Sequence, residues 1–198
     1  MATVVRVSRR IATLPNAVTL ARLLVLPIVP WLLLVEERRT AAAVLLGVLG
    51  TTDWVDGWLA RRFGQVSEFG AVFDPVVDRL LFIVGAAAVL VDGSVPAWFL
   101  IAVGLRELAV GGMMTVATAM GMPRIPVSRS GKRYTFLLMT GIPLLVLGSD
   151  GGRWAGVATS AGWVLGAAGL VLGWASGVRY VPTVRAEVNR ARSARTVR

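Results

Sequence analysis

Four aspartates lie within residues 53–78, in segments that are otherwise strongly apolar. Asp53 and Asp56 are three positions apart, and Asp74 and Asp78 are four positions apart. Because a helix turns about 100° per residue, each pair projects from one helix face. A carboxylate in hydrocarbon costs roughly a few kcal/mol or more, so four of them need compensating charge. Bound divalent cations are the expected partner, because carboxylate oxygens suit hard ions such as Mg²⁺, Mn²⁺ or Ca²⁺.

Small residues share the two acidic faces. Gly57 and Ala60 fall within about a 100° arc with the first pair of acids, Arg61 lies just past its edge, and Gly70 falls within about 80° of the second pair. Small side chains let a ligand or a neighbouring backbone come close. The connection between the two segments is short, so we expect antiparallel neighbours whose acids meet at one depth. Two cations held there would neutralise the carboxylates and clamp a phosphate.

The chain contains neither cysteine nor histidine. Disulfide and thiolate chemistry are therefore excluded. Any general base has to be Asp, Glu, Lys, Tyr or water, and aspartate is the leading candidate.

The composition indicates a membrane protein. Of the 198 residues, 56% are hydrophobic and only 16% are charged, whereas a soluble domain carries roughly 25% charged residues. The mean hydropathy is +0.71. Six apolar runs approach the ~20 residues that span a bilayer. They lie at about 17–35, 41–62, 70–91, 95–120, 134–148 and 155–178. The sequence predicts an all-α integral membrane protein with six transmembrane helices.

The distribution of basic residues predicts the orientation. Arg and Lys gather in the N-terminal arm, in the second and fourth connections and in the C-terminal tail. Positive residues favour the cytoplasmic side of a membrane, so we expect both termini and the active site to face the cytoplasm. We expect the protein to lie in the inner or plasma membrane. The net charge of +10 is then explained by anionic lipid, and we predict no nucleic-acid partner.

Both ends of the chain are basic. The arm before the first run is either a short amphipathic helix on the membrane surface or a disordered leader. We expect residues 1–182 to form the membrane domain, and residues 183–198 to form a cytoplasmic tail that is a solvated or headgroup-bound helix.

The Asp74-Pro75 pair has two interpretations. Proline fits the first turn of a helix, so Asp74 would be an N-cap rather than a metal ligand. Alternatively, the helix runs through, and Pro75 removes the backbone hydrogen bond to Ala71 and kinks the segment. We favour the second, because an N-cap leaves the other three acids unexplained.

Together these residues resemble a known family. Asp-x-x-Asp-Gly-x-x-Ala-Arg, then eight residues, then Gly-x-x-x-Asp-x-x-x-Asp resembles the signature of the CDP-alcohol phosphotransferases, or phosphatidyltransferases. Every fixed position is present: Asp53, Asp56, Gly57, Ala60, Arg61, Gly70, Asp74 and Asp78. The resemblance implies a six-helix membrane enzyme, usually a homodimer, that cleaves a CDP-linked donor and releases CMP.

The resemblance also implies roles for these residues. The metal ligands would be Asp53, Asp56, Asp74 and Asp78, holding Mg²⁺ or Mn²⁺ as two ions. Asp78 would also be the catalytic residue, accepting the proton of the acceptor hydroxyl. The nucleotide and donor would contact Asp53, Gly57, Ala60, Arg61 and Gly70.

Two acceptors remain open, with CDP-diacylglycerol as the donor for both. The stretch at residues 14–23 and the Gly131-Lys132-Arg133-Tyr134-Thr135 element resemble phosphatidylglycerophosphate synthases, which would use glycerol 3-phosphate. Asp78-Arg79 and the Thr-Phe-Leu-Leu-Met stretch at residues 135–139 resemble actinobacterial cardiolipin synthases, which would use phosphatidylglycerol. We take glycerol 3-phosphate as the first prediction and phosphatidylglycerol as the alternative. Inositol phosphate is a third choice.

Several basic residues are candidates for binding the acceptor phosphate. They are Arg106, Arg129, Lys132 and Arg133. The last three lie in a predicted cytoplasmic loop, where positive charge is expected in any case. Arg106 either contacts substrate or forms a buried structural ion pair with a site aspartate, since adjacent helical residues such as Arg106 and Glu107 need not pair. Arg22 has the same alternatives, or snorkels to the interface.

Two rival functions belong to other classes. Acids within a membrane also mark cation or proton pathways, so a transporter is one rival. It does not require Gly57, Ala60, Arg61 and Gly70 at their offsets. A catalytically silent scaffold is the other, and the intact set of acids argues against it.

The clustered carboxylates predict an absolute requirement for a divalent cation. Excess EDTA should abolish CMP release from CDP-diacylglycerol, and added Mg²⁺ or Mn²⁺ should restore it, because the chain has no His or Cys ligand to retain another metal. Full CMP release in excess EDTA would contradict the metal assignment.

Overall fold

The computed structural model describes residues 13–63, 69–119 and 129–196. All regular elements in these ranges are helices, as predicted. They are α1 (Leu14–Val25), α2 (Ile28–Leu34), α3 (Arg39–Phe63), α4 (Gly70–Asp92), α5 (Ala97–Ala119), α6 (Arg129–Gly148) and α7 (Ala155–Thr196). Counting α1 and α2 as one segment, each of the six apolar runs coincides with a long helical segment.

The first apolar run is broken in its middle. The Thr13 hydroxyl caps α1 by accepting a hydrogen bond from the Asn16 backbone N–H at 3.4 Å. The helix ends at Val25, and Pro27 is the N-cap of α2. Proline has no backbone N–H to continue the helical ladder, which accounts for the break.

Three helical segments of the described chain are long and apolar enough to cross a membrane. They are Asn16–Leu34, Ala97–Thr115 and Ala155–Arg179, and the shorter apolar helices are Arg39–Thr52 and Arg133–Gly148. The α4 segment carries Asp74, Asp78, Arg79 and Asp92, which lower its hydropathy. The chain is therefore a helical membrane protein, while the six crossings and their orientation stay predictions.

The helix α4 runs through Asp74 and Pro75. It begins at Gly70 after the N-cap Phe69, which makes no side-chain capping bond, and it ends at Asp92, with Gly93 as the C-cap at φ of 73°. The N-cap interpretation of Asp74 is therefore wrong. Because Pro75 lies inside the helix, it cannot donate a hydrogen bond to the Ala71 carbonyl. Asp74 and Asp78 consequently stand one turn apart on a continuous helix.

The last helix combines a lipid-compatible face with a packed face. Val157, Val164, Val171 and Val178 recur every seven residues and are 65–69% exposed. Such a stripe suits hydrocarbon rather than water. The backbone of α7 continues past Pro182 to Thr196, so the predicted tail at 183–198 begins as an extension of this helix. The N-terminal arm lies outside the described residues.

The opposite face of α7 packs closely on α6 through glycines. A Cβ on Gly141 would lie 2.9 Å from the Gly166 backbone nitrogen, and one on Gly162 would lie 2.9 Å from the Leu145 backbone nitrogen. Small residues allow this approach of two backbones, the usual means of packing helices in a membrane. Trp163, which follows Gly162 on α7, lies against Phe99 of α5, with ring centroids 5.5 Å apart.

The close contact between α6 and α7 predicts that Gly141 and Gly104 differ in their tolerance of an alanine substitution. Gly141→Ala should lower the melting temperature, because backbone atoms of α7 cannot move aside and overpacking costs about 1–3 kcal/mol. Gly104→Ala is the matched control, since nothing lies within 4 Å of its Cβ position. It should be neutral or slightly stabilising, as alanine is the better helix former. Thermal unfolding in one detergent measures both, and equal melting temperatures for the two variants would contradict the packing.

Candidate active site

The first helix holds both carboxylates of α4. The Thr19 hydroxyl donates a hydrogen bond to Asp74 Oδ1 at 2.8 Å, and Arg22 Nη1 lies 3.0 Å from Asp78 Oδ1. Thr19 and Arg22 are three residues apart on α1, and the acids are four apart on α4, so each pair shares one helix face. Two parallel contacts therefore dock one helix on the other.

The donors of these contacts are buried, whereas one acid is open. Thr19 is 0% exposed and Arg22 is 3% exposed. Asp78 has 42% of its side chain exposed, although its Oδ1 is buried. The exposed part of Asp78 is thus the remainder of the side chain.

The open side of Asp78 borders a cavity of about 510 Å³ between α3, α4 and α6. The walls are mostly apolar, from residues such as Leu46, Leu49, Phe82, Leu138 and Ile142. The polar lining side chains include Arg22, Asp78, Arg79, Glu107, Tyr134 and Thr135. A mainly apolar pocket with a few convergent polar groups is the usual form of a ligand site. This one suits an amphipathic ligand with a charged head and a hydrocarbon tail.

A second polar network frames the cavity from α5, α6 and α7. Arg106 Nη1 donates to Glu107 Oε1 at 2.6 Å, and the Tyr134 hydroxyl donates to the same oxygen at 2.7 Å. Arg106 also donates through Nε to the Gly173 carbonyl and through Nη2 to Ser176 Oγ, both at 3.3 Å. Its guanidinium lies 4.0 Å from the Tyr134 ring centroid. Glu107 therefore joins α5 to α6, and Arg106 connects this pair to α7.

The network reaches α4 through Arg79. Arg79 Nη1 lies 3.6 Å from Glu107 Oε2, and a Cβ on Gly111 would lie 2.7 Å from Arg79 Nη2. The absence of a side chain at Gly111 thus lets the Arg79 guanidinium lie across α5. Asp78, Arg79, Glu107 and Tyr134 therefore all border the same cavity.

Two interpretations of buried arginines need correction. Arg106 pairs with the adjacent Glu107 rather than with a site aspartate, because the long guanidinium side chain spans the angle between neighbouring helical positions. With four partners and 7% exposure it has a structural role in this state. Arg22 does not snorkel to the interface, since it is buried against Asp78.

For several other predicted site residues, the structure describes the backbone but not the side chain. Asp74 and Asp78 lie on one face of α4, and Gly70 is buried at its start. The backbone of α3 runs through Asp53, Asp56, Gly57, Ala60 and Arg61, but their side chains lie outside the described residues. Those of Arg129 and Lys132 also lie outside them, while Arg133 is exposed near the start of α6. Among the described side chains, no group of three acids, His or Cys stands ready to hold a metal.

Sequence reasoning missed Thr19, Glu107 and Tyr134 as parts of this region. Thr19 carries no signal by itself, although its three-residue spacing from Arg22 places both on one face of α1. Glu107 was visible as an acid within an apolar run, a feature that marks functional or paired positions in membranes. Its partner on α6 depends on contacts between distant segments, which the spacing of residues does not reveal.

The fold and the site define a class of protein: a helical membrane enzyme with paired carboxylates beside an apolar cavity. The sequence profile of the CDP-alcohol phosphatidyltransferase family matches residues 12–175. The chain belongs to this family, which confirms the resemblance. It is therefore a membrane-bound transferase of phospholipid biosynthesis.

Individual relatives carry two kinds of name. "Cardiolipin synthase (CMP-forming)" of Streptomyces coelicolor is 36% identical over 182 residues, covering 89% of this chain and 84% of the relative. "CDP-diacylglycerol--glycerol-3-phosphate 3-phosphatidyltransferase" of Rickettsia typhi is 36% identical over 146 residues, with coverages of 70% and 78%. The Bacillus subtilis protein of that name is 33% identical over 149 residues, with coverages of 68% and 76%.

The Glu107 network predicts unequal effects of two small substitutions. Glu107→Gln should lower the melting temperature strongly, because it leaves Arg106 buried without its countercharge, at a cost of about 3–5 kcal/mol. Tyr134→Phe should cost about 1 kcal/mol, since it removes one hydrogen bond and keeps the ring beside Arg106. Thermal unfolding of the two purified variants checks the order, and a larger loss for Tyr134→Phe would contradict it.

Proposed function

We propose that the protein transfers the phosphatidyl group of CDP-diacylglycerol to the hydroxyl of a glycerol-type alcohol and releases CMP. The observation that carries this proposal is the fixed carboxylate pair of α4, whose Asp78 lies at an apolar cavity. The cavity suits the hydrocarbon part of a lipid substrate, and the carboxylates suit the cations that a pyrophosphate needs.

The helix register supports a site that combines the acids of α3 and α4. Arg39 Nε on α3 lies 3.1 Å from Asp92 Oδ2 on α4, and a Cβ on Gly85 would lie 3.5 Å from Leu46 Cδ2. Seven residues forward along α3 thus correspond to seven residues back along α4. Because antiparallel helices rise equally per residue, a further seven residues bring the Asp53 backbone level with Asp78. The same register sets Gly57 level with Asp74.

We infer that Asp53, Asp56, Asp74 and Asp78 hold two divalent cations, Mg²⁺ or Mn²⁺. The donor set fits such ions, because it offers only carboxylate oxygens. When bound, the cations would shield the charge of the donor pyrophosphate and of departing CMP. Gly57, Ala60, Arg61 and Gly70 would border the nucleotide.

Asp78 is the proposed catalytic base. It would accept the proton of the acceptor hydroxyl as that oxygen forms a bond to the phosphorus that carries diacylglycerol. The bond from this phosphorus to the oxygen of CMP breaks, and CMP leaves with the electron pair. Arg22 on the opposite side of the carboxylate would keep Asp78 oriented through the transfer.

We infer that phosphatidylglycerol, the alternative to the first prediction of glycerol 3-phosphate, is the acceptor. The described cationic groups that line the cavity are already engaged by carboxylates: Arg22 by Asp78, and Arg79 by Glu107. A phosphomonoester dianion would need further positive charge, whereas a phosphodiester lipid carries one negative charge and can place its tails against apolar walls. The Streptomyces coelicolor relative named as a cardiolipin synthase agrees with this choice.

Glycerol 3-phosphate is the second candidate. The basic group at Arg129, Lys132 and Arg133 near the start of α6 would supply charge for its phosphate. The Rickettsia typhi and Bacillus subtilis relatives carry the corresponding name. Arg106 is a weaker candidate for this role, because its guanidinium is held by Glu107, Ser176 and the Gly173 carbonyl.

The finer architecture belongs to the same proposal. We infer six membrane crossings, both termini and the active site at the cytoplasmic face, and residence in the inner or plasma membrane as a homodimer. The grounds are the loop charges and the family resemblance. Residues 1–182 would form the catalytic membrane domain, and residues 183–198 the basic tail.

The acceptor assignment predicts the product of a defined assay. Purified protein with CDP-diacylglycerol, Mn²⁺ and phosphatidylglycerol should release CMP and form cardiolipin, and it should do so faster than it forms phosphatidylglycerophosphate from glycerol 3-phosphate. Mass spectrometry of the product lipids measures both reactions. Faster formation of phosphatidylglycerophosphate would favour the second candidate, and no CMP release with either acceptor would contradict the proposed transfer.

Paired variants test the base in the same assay. Asp78→Asn should reduce CMP release by about 10²-fold or more, the usual contribution of a general base. Asp92→Asn is the matched control, because Asp92 is also an arginine-paired acid on α4 but lies far from the mouth of the site. Asp92→Asn should retain most activity. A near-native rate for Asp78→Asn would contradict the assignment of Asp78 as the catalytic base.

A further inference from the structure

Two arginines contact Glu107, and they differ in exposure and in distance. The Arg79 side chain is 53% exposed and borders the cavity, whereas the Arg106 side chain is 8% exposed. Arg106 Nη1 lies 2.6 Å from Glu107 Oε1, but Arg79 Nη1 lies 3.6 Å from Glu107 Oε2. A long and exposed ion pair contributes little to stability, because water and ions screen it. Arg106 is therefore the structural partner of Glu107, and the Arg79 guanidinium can also bind an anion in the cavity.

We propose that Arg79 binds the phosphate of the acceptor and thereby selects a lipid phosphodiester that carries one negative charge. The inference rests on the proposed transfer of a phosphatidyl group to phosphatidylglycerol. The guanidinium would donate hydrogen bonds to the phosphate oxygens, for which its planar fork of N–H groups is suited.

The charges around Glu107 fit such a ligand. The two guanidinium groups and the single carboxylate leave one more positive charge than negative. When Arg79 turns to a phosphate, Glu107 keeps Arg106 and the Tyr134 hydroxyl as its hydrogen-bond donors. The exchange therefore leaves Glu107 paired, and the surplus positive charge matches the single charge of a phosphodiester.

The place of Arg79 in the chain fits the shape of the acceptor. Arg79 and Asp78 are consecutive on α4, and both border the cavity. In phosphatidylglycerol, one glycerol unit separates the phosphate from the terminal hydroxyl. Arg79 would hold the phosphate while this hydroxyl reaches Asp78, the proposed base, and the acyl chains would lie against the apolar walls.

Gly111 on α5 makes room for the Arg79 guanidinium. A Cβ at Gly111 would lie 2.7 Å from Arg79 Nη2 and 3.4 Å from Nη1, so alanine there would displace the flexible end of Arg79. At the neighbouring Gly112, nothing lies within 4 Å of the Cβ position. The two glycines therefore provide a matched pair of sites, only one of which controls where the guanidinium lies.

The test compares two acceptors in steady-state assays of the full chain in mixed micelles. One is phosphatidylglycerol, and the other is its methylphosphonate analogue, which keeps the glycerol and the acyl chains but has no charge at phosphorus. The wild type should show kcat/KM for phosphatidylglycerol about 10-fold or more above that for the analogue, because charge-assisted hydrogen bonds are lost. Equal kcat/KM values for the two acceptors would overturn the inference.

Substitutions of Arg79 assign this discrimination to its guanidinium. Arg79→Gln should lower kcat/KM for phosphatidylglycerol about 10-fold or more and leave the KM for CDP-diacylglycerol near the wild-type value. Arg79→Lys should lie between the two, because it keeps the charge and loses the fork. With the neutral analogue, Arg79→Gln should equal the wild type. An equal loss with both acceptors would indicate a structural role and overturn the inference.

Gly111→Ala tests the same contact without changing Arg79. It should lower kcat/KM for phosphatidylglycerol, whereas Gly112→Ala should behave like the wild type. Alanine favours a helix over glycine, so both variants should fold, and their melting temperatures check this. Equal kcat/KM values in the two alanine variants would overturn the proposed placement of the guanidinium. If Arg79→Gln does not fold, this pair and the wild-type comparison of acceptors decide.

The inference and the function beneath it fail in different ways. Wild-type kcat/KM for phosphatidylglycerol in Arg79→Gln would overturn the role of Arg79 and leave the transfer standing. No cardiolipin formation by the wild type would overturn the proposed acceptor, and the inference with it.

Discussion

The ion pair between Arg22 and Asp78 is the interaction on which the catalytic region depends. A carboxylate placed in an apolar helix is unfavourable alone, and a guanidinium at 3% exposure is unfavourable alone. Together they let α1 and α4 pack closely while part of the Asp78 side chain lines the cavity. The Thr19–Asp74 hydrogen bond repeats the arrangement one turn away with a neutral donor. Asp74 and Asp78 are thus stabilised by the helix behind them.

The helices α5, α6 and α7 also stabilise buried charges, through a network of ion pairs and hydrogen bonds around Glu107. Glu107 receives Arg106 and Tyr134, and Arg106 is anchored on α7 through Gly173 and Ser176. Glycines along α6 and α7 allow the close backbone approach that brings these groups together. Arg79 connects this network to α4, so Asp78 and the Glu107 network border one cavity whose walls are mostly apolar.

The spacing of residues predicted much of this arrangement, and its limits are physical. The interval between Asp74 and Asp78 reflects helix periodicity, so their common face on α4 was predictable, as were the helical segments. The face of Asp53 and Asp56 on α3 stays a prediction. The continuity of α4 through Pro75 was expected from the same periodicity and is confirmed. The partners of Asp74 and Asp78 were not predictable, because they lie 55 and 56 positions away on a helix whose packing depends on the whole bundle. The pairing of Arg106 with Glu107 was missed because an argument from helix angle ignores the reach of a long side chain.

We propose that acids of α3 and α4 meet to bind metal at the mouth of the apolar cavity. Anomalous diffraction from crystals grown with Mn²⁺ and CDP-diacylglycerol tests this most directly. We expect anomalous peaks with carboxylate oxygens of Asp53, Asp56, Asp74 and Asp78 within about 2–2.5 Å, the range for hard divalent ions, and with the donor pyrophosphate beside them. Anomalous peaks that touch neither Asp74 nor Asp78, or crystals in which the donor binds with no metal at these acids, would contradict it.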